Sequence, residues 1–253
     1  MRPRVSLVII TSNEEKNIAR CIDSVDWADD VLVLDSGSTD RTCEIARQRG
    51  ARVFQEKFRG FRAQKERATE LALHNWIVSL DADEAFSNEL SEEIKDLLSQ
   101  KANFDGVETP RLSFHLGRWI RHGGWYPDYQ VRVFDRTRAK WIGGHVHERV
   151  IATGTVRTRN AIQHWVFENL EDQVETNNFY SSKGALDLRD KGKSFSIFRL
   201  VTKPISKFFE TYLLKRGFLD GMPGFIISVG AAYSIFLKYA KLWEIQRLGR
   251  GKV

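Results

Sequence analysis

Four short apolar runs in the first eighty residues constrain this chain more than any other feature. They are Val5 to Thr11, Asp30 to Asp35, the shorter Ala51 to Gln55 and Trp76 to Leu80, of which the first, second and fourth are rich in β-branched and large aliphatic residues. Near-continuous apolar strands are buried on both faces, as in parallel sheets. Helical patterns separate them. Asn13 is placed to cap the first helix, with Glu14 and Glu15 in its first turn and Ile18, Cys21, Ile22 and Val25 on one apolar face. A second helix follows the Gly37-Ser38-Thr39-Asp40 turn and stops at Gly50, and a third covers Phe61 to His74. This βαβαβαβ alternation predicts an α/β fold with a parallel sheet and helices on both faces.

Two of these runs end in carboxylates. Parallel strands present ligand-binding groups just beyond their carboxyl ends, so Asp35 and Asp81 share one sheet edge. Asp81 and Asp83 sit one residue apart within Asp81-Ala82-Asp83-Glu84. Such hard oxygen donors suit Mg²⁺ or Mn²⁺, which could in turn hold a diphosphate. An acidic turn capping the next helix is the plain structural reading of the same residues. For Asp35 the two readings are acceptance of hydrogen bonds from a base or ribose, and capping of the Gly-Ser-Thr turn. No G-x-G-x-x-G follows the first strand, and no G-x-x-x-x-G-K-[ST] occurs, which argues against dinucleotide and Walker-type sites.

The pattern changes after a helix expected over about Glu89 to Ser99. Strand-like segments at Gly106 to Phe114, Gln130 to Asp135 and Val146 to Ala152 are separated by Gly, Pro and charge, as in a smaller antiparallel portion. Sugar- and phosphate-binding side chains are frequent here, among them Arg111, His115, Trp125, Tyr126, Asp128, Arg132, His147 and Glu148. Trp125, Tyr126 and His147 are the candidates for acceptor binding, although any such aromatic could equally be core.

Net charge divides the chain. Residues 183–253 hold 14 Lys and Arg against 5 Asp and Glu, whereas residues 1–182 hold 25 against 28. A basic, partly apolar tail suits an anionic membrane surface better than nucleic acid, because the charge does not line a groove with stacking platforms. After a polar helix at about 169–191, Gly221 to Leu237 is a run of 17 uncharged residues containing Pro223 and three glycines. It is short of the roughly 20 residues a spanning helix needs. An interfacial or re-entrant segment is expected, with Tyr239 and Trp243 at headgroup level; helices packed on the body or on another subunit are the alternative. Cys21 and Cys43 read as buried free thiols of a reducing compartment. The first apolar run is too short for a secretory signal, so the body is expected in the cytoplasm.

Val5-Ser6-Leu7-Val8-Ile9-Ile10-Thr11-Ser12-Asn13-Glu14-Glu15, Val33-Leu34-Asp35-Ser36-Gly37-Ser38-Thr39-Asp40 and Ser79-Leu80-Asp81-Ala82-Asp83-Glu84, in this order and spacing, resemble the family-two inverting glycosyltransferases of glycosyltransferase-A fold. Gly60 to Lys65, Gly124 to Asp128, Val146 to Glu148 and Lys215 to Gly221 look like the branch containing lipopolysaccharide inner-core β-1,4-glucosyltransferases. The resemblance implies a UDP-sugar donor, with UDP-glucose the first candidate, and Mg²⁺ or Mn²⁺. By position, Thr11, Glu14 and Asp35 would face uridine, Asp81 the ribose and Asp83 the metal, with Lys65 near the nucleotide.

Inversion needs one general base within reach of the acceptor hydroxyl. Glu148 is the first candidate and Asp128 the second. The implied acceptor is a lipid-linked saccharide such as the inner-core heptose. Another UDP-sugar or a polyprenyl-phosphate acceptor fits the same physics, and a non-catalytic relative is the non-enzyme alternative. The expected organisation is a catalytic domain over 1–185, with a nucleotide-binding half at 1–103 and an acceptor half at 104–168. Residues 186–253 would then be basic amphipathic helices that associate with the membrane or with a second copy. The expected location is then peripheral, on the cytoplasmic face of the inner membrane.

Overall fold

The computed structural model describes residues 2–100, 104–143 and 148–249. They form two compact units, the first of residues 1–112 and 128–164, the second of 113–127 and 165–253.

The first unit is built on a mixed sheet. Strands β1 (Val5–Thr11), β2 (Asp30–Asp35), β3 (Arg52–Gln55) and β4 (Trp76–Asp81) are mutually parallel, in the order β3-β2-β1-β4. Antiparallel strands continue it: β8 (Asp128–Asp135) beside β4, then β6 (Gly106–His115), β12 (Ile162–His164) and β5 (Glu84–Phe86). Strand β11 (Thr155–Arg157) pairs with β6, and β9 (Ala139–Ile142) with β10 (Arg149–Ala152) forms a separate ribbon. The expected α/β class, mainly parallel with a smaller antiparallel portion, is the class formed. The helices of this unit are α1 (Ile18–Asp23), α2 (Thr42–Gln48), α3 (Phe61–Leu71) and α4 (Asn88–Ser99).

Two apolar clusters explain why the strand sequences lack alternation. Val5, Leu7 and Ile9 of β1 join Val33, Val78 and Leu80 in one cluster, with Ile18, Cys21 and Ile22 of α1 and Leu90 and Ile94 of α4. Val8 joins Leu32, Leu34, Ile77, Phe134 and Trp141 in the other, with Ala68 of α3. Successive side chains enter opposite faces, and both faces are covered. Cys21 and Cys43 are buried and unpaired, as expected.

One boundary differs from the sequence expectation. The first helix begins at Ile18, and Asn13 does not cap it. Asn13 takes a left-handed backbone with φ 56°, which asparagine tolerates. Its Oδ1 accepts from Thr39 N at 2.8 Å, and its own N–H donates to Ser38 Oγ at 2.8 Å. Asn13 thus ties the turn after β1 to the turn after β2. Another difference concerns Val146 to Ala152, where the strand starts at Arg149; residues 144–147 lie outside the described residues.

The second unit contains the end of β6, β7 (Arg118–Ile120), α5 (Leu170–Asp190), α6 (Ile197–Phe209) and α7 (Gly221–Leu248). The uncharged run expected to be interrupted lies in one continuous 28-residue helix. Pro223 falls in its first turn, where no helical hydrogen bond is lost. Gly224 allows close approach, since a Cβ there would stand 1.9 Å from the Gly217 carbonyl oxygen. Buried Asp220 fastens this corner: its Oδ2 accepts from the backbone N–H groups of Arg121 and His122 at 3.1 and 2.7 Å, and its carbonyl from Arg118 at 2.9 Å. The Lys215-to-Gly221 motif therefore holds the loop that carries Trp125 and Tyr126.

Candidate active site

The parallel register brings the ends of β1, β2 and β4 together. Thr11 lies beside Asp35, and Ile10 beside Asp81. Thr11 Oγ1 is buried and makes no hydrogen bond, an orphaned polar atom at the edge where a ligand is expected. Asp35 is fully buried. Its carboxylate accepts from the Gly37 and Ser38 N–H groups at 3.0 Å, from Gln55 at 3.1 Å and from the Ser38 hydroxyl. Burial alone would raise this carboxyl, but the Ser38 and Gln55 bonds outweigh it and hold it below the ordinary carboxylate value. Asp35 thus secures the Gly-Ser turn. Glu14 receives a bond from Asn17 Nδ2 at 2.8 Å, and its backbone N–H donates to Thr42 Oγ1.

A chain of alternating charges runs from the end of β4. Lys65, buried in α3, donates to Asp81 at 2.9 Å and to Glu148 Oε1 at 3.1 Å. Arg132, buried in β8, places one NH2 between Asp81 Oδ2 at 2.9 Å and Glu84 Oε1 at 2.8 Å. Arg111 continues from Glu84 at 3.2 Å to Asp128 at 2.7 Å. The order is Glu148, Lys65, Asp81, Arg132, Glu84, Arg111, Asp128. Burial opposes ionisation of Asp81, but Lys65 and Arg132 prevail and lower its carboxyl far below the usual range. Glu84 also closes the turn, accepting from Asp81 N at 3.1 Å.

Asp83 stands outside this chain. It is partly exposed, and its Oδ2 lies 3.3 Å from His164 Nε2. His164 comes from β12, whose register with β5 sets it opposite Glu84. The carboxylate is a hard donor suited to Mg²⁺ or Mn²⁺ and the imidazole a softer one beside it, while Asp81 and Glu84 are bound by Lys65 and Arg132. Among the described residues no cluster of three or more acidic, His or Cys side chains is arranged to hold a metal. Asp83 and His164 would supply two ligands to such a cation.

The structure thus joins Asp81, Lys65, Glu148 and Asp128 in one network of the first unit, with Asp83 on the same turn. Trp125 and Tyr126 belong to the second unit, where Trp125 stacks on His115 at 6.0 Å. His147 lies outside the described residues. Sequence reading did not single out His164, because its partner strand is some eighty residues away. It also counted Arg111 and Arg132 as sugar or phosphate binders, whereas here both are bound to carboxylates.

This chain belongs to glycosyl transferase family 2: the family profile matches residues 6–164. It is 33% identical to an uncharacterised glycosyltransferase of Rickettsia typhi over 99% of this chain and 90% of that protein. It is 26% identical to the lipopolysaccharide core biosynthesis glycosyltransferase LpsC of Rhizobium meliloti, over 95% of this chain and 92% of that one. Among solved structures it is similar to glucosyl-3-phosphoglycerate synthase of Mycobacterium tuberculosis in complex with Mn²⁺, UDP and glucosyl-3-phosphoglycerate. That likeness is 28% identity over 44% of each chain, with a TM-score of 0.36.

Proposed function

We propose that this glycosyltransferase moves a hexose, glucose first among candidates, from a UDP-sugar to a lipid-linked saccharide with inversion, at the cytoplasmic face of the inner membrane. The Asp83–His164 pair carries the reading. It sets a carboxylate and an imidazole 3.3 Å apart on the Asp-x-Asp turn, beside the Lys65–Asp81–Arg132 network. Asp83 and His164 would hold Mg²⁺ or Mn²⁺, which when bound neutralises charge on the departing diphosphate.

The protein's own groups then have distinct tasks. Lys65 and Arg132 fix Asp81 as an ionised acceptor for a ribose hydroxyl. Thr11 Oγ1 has hydrogen-bonding capacity free for the nucleoside. Glu148 is the proposed base that takes the acceptor hydroxyl's proton. One of its oxygens is held by Lys65, which orients it, whereas Asp128 is clamped by two bonds from Arg111. LpsC, similar along nearly the whole chain, supports a core-saccharide acceptor through its name.

UDP release across a panel of UDP-sugars, with lipid A–core acceptor, tests this reading. UDP-glucose should be preferred, and Glu148→Gln should lower kcat by at least about a hundredfold while leaving the donor KM within a few-fold. Near-normal turnover in Glu148→Gln together with loss in Asp128→Asn would transfer the base to Asp128.

A further inference from the structure

We infer that α6, the turn after it and the outer face of α7 form an in-plane membrane anchor that docks on an anionic leaflet without crossing it. This deepens the peripheral location proposed above and rests on it.

No residue of α6 is buried. Ile197, Phe198, Val201, Ile205 and Phe209 are all exposed, Phe198 at 72%. At 100° per residue they cover an arc of roughly 120°, while Arg199, Lys203 and Lys207 occupy the opposite side. An apolar arc backed by a basic face is the pattern of a helix lying in the headgroup plane. The apolar surface continues through Leu214, 81% exposed, and Met222, 68% exposed, to Phe225, Val229, Tyr233 and Phe236 of α7. Phe208 packs against Phe225, and Phe195 against Trp243, so α6 and α7 run antiparallel as a hairpin.

Charge selects the occupant. Between residues 191 and 243 there are nine Lys and Arg against Glu210 and Asp220. Asp220 is buried on its own loop, and Glu210 is paired with Lys207 and Lys215. A second copy docked through the same face would oppose lysines to lysines. An anionic leaflet complements them.

By length and composition α7 could cross a bilayer. Its surroundings argue otherwise. The polar helix α5 covers one side: Lys241 Nζ donates to the Asn178 carbonyl and to Ser181 and Ser182 hydroxyls at 2.7–2.8 Å, and Gly230 admits Gln173. A helix bearing Glu171, Asp172, Glu175 and Asp187 does not enter hydrocarbon beside it. The uncharged run also spans only roughly 26 Å against a core of about 30 Å. Phe218 and Leu219, both exposed, flank Asp220, which holds the Arg118–His122 backbone. Docking would therefore orient the loop with Trp125 and Tyr126.

Flotation of the full chain with acceptor-free vesicles tests this independently of sugar transfer. Binding to phosphatidylcholine–phosphatidylglycerol vesicles should exceed binding to phosphatidylcholine alone and should fall with salt. Phe198→Asp with Ile205→Asp should weaken it at least about tenfold at unchanged melting temperature, since both side chains are exposed. Arg199→Gln with Lys203→Gln should weaken it about fivefold per residue. Wild-type binding indifferent to phosphatidylglycerol and salt would overturn the inference without use of any variant. So would undiminished binding of the Asp variant, resistance to alkaline carbonate extraction, or a lipid-free dimer that the Asp variant dissociates. Vesicle binding with no transfer from any UDP-sugar would leave the anchor standing and refute the donor reading.

Discussion

At the level of single residues the site divides into groups already satisfied and groups waiting for a ligand. Asp35 is satisfied; Thr11 Oγ1 is not, and Asp81 is held ionised by Lys65 and Arg132. A buried hydroxyl without a partner costs stability, so Thr11→Val, nearly isosteric, should leave the melting temperature unchanged or raise it. If Thr11 serves the nucleoside, the same change should raise the donor KM several-fold, by about 1 kcal/mol of lost hydrogen bonding. Thermal melts and donor kinetics on one preparation check both halves. The place of Thr11 and Asp81 at one sheet edge is legible in sequence because both end apolar strands. His164 is not, since a three-residue strand gives no pattern that fixes its partner.

The strand ends carry a pH signature of their own. Asp30 opens β2, Asp35 closes it, and Asp81 closes β4. Burial pushes each carboxyl up, but hydrogen bonds from Arg52, Leu73 N and Ser6 at Asp30, those of the turn at Asp35, and Lys65 and Arg132 at Asp81 bring all three below the ordinary value. The unfolded chain binds more protons than the folded one once the pH nears the unpaired value of about 3.9. Their stabilisation is therefore complete above that value and lost as the pH falls through the folded pKa values. The unfolding midpoint should stay level from neutral pH to about pH 5 and decline below about pH 4. Arg132→Met removes one cation from Asp81 and Glu84. It should cost about 3 kcal/mol or more at neutral pH and flatten the acid decline, because the folded pKa of Asp81 then moves towards the unfolded value. An acid profile superimposable on wild type would remove Arg132 from this role.

For the whole molecule, legibility follows contact range. The parallel half is readable because each βαβ unit is local and its strands are apolar on both faces. The antiparallel half is harder, because β5 and β12 are three residues each and meet across the chain. The C-terminal helix misleads for a different reason. Pro223 and Gly224 suggest a break, yet the proline sits in the first turn and the glycine answers a close approach of Gly217. The division of labour that sequence suggested, with the Asp-x-Asp turn holding the leaving group and Glu148 acting on the acceptor, gains a physical link in Lys65, which touches Asp81 and Glu148 together. The central claim is that Asp83 with His164 supports a metal-dependent UDP site. Calorimetric titration of UDP into the protein, with Mn²⁺ and then with chelator, tests it most directly. The account predicts binding with Mn²⁺, loss of at least about tenfold in affinity with chelator, and the same loss for Asp83→Asn in Mn²⁺. Equal UDP affinity in all three conditions would contradict it.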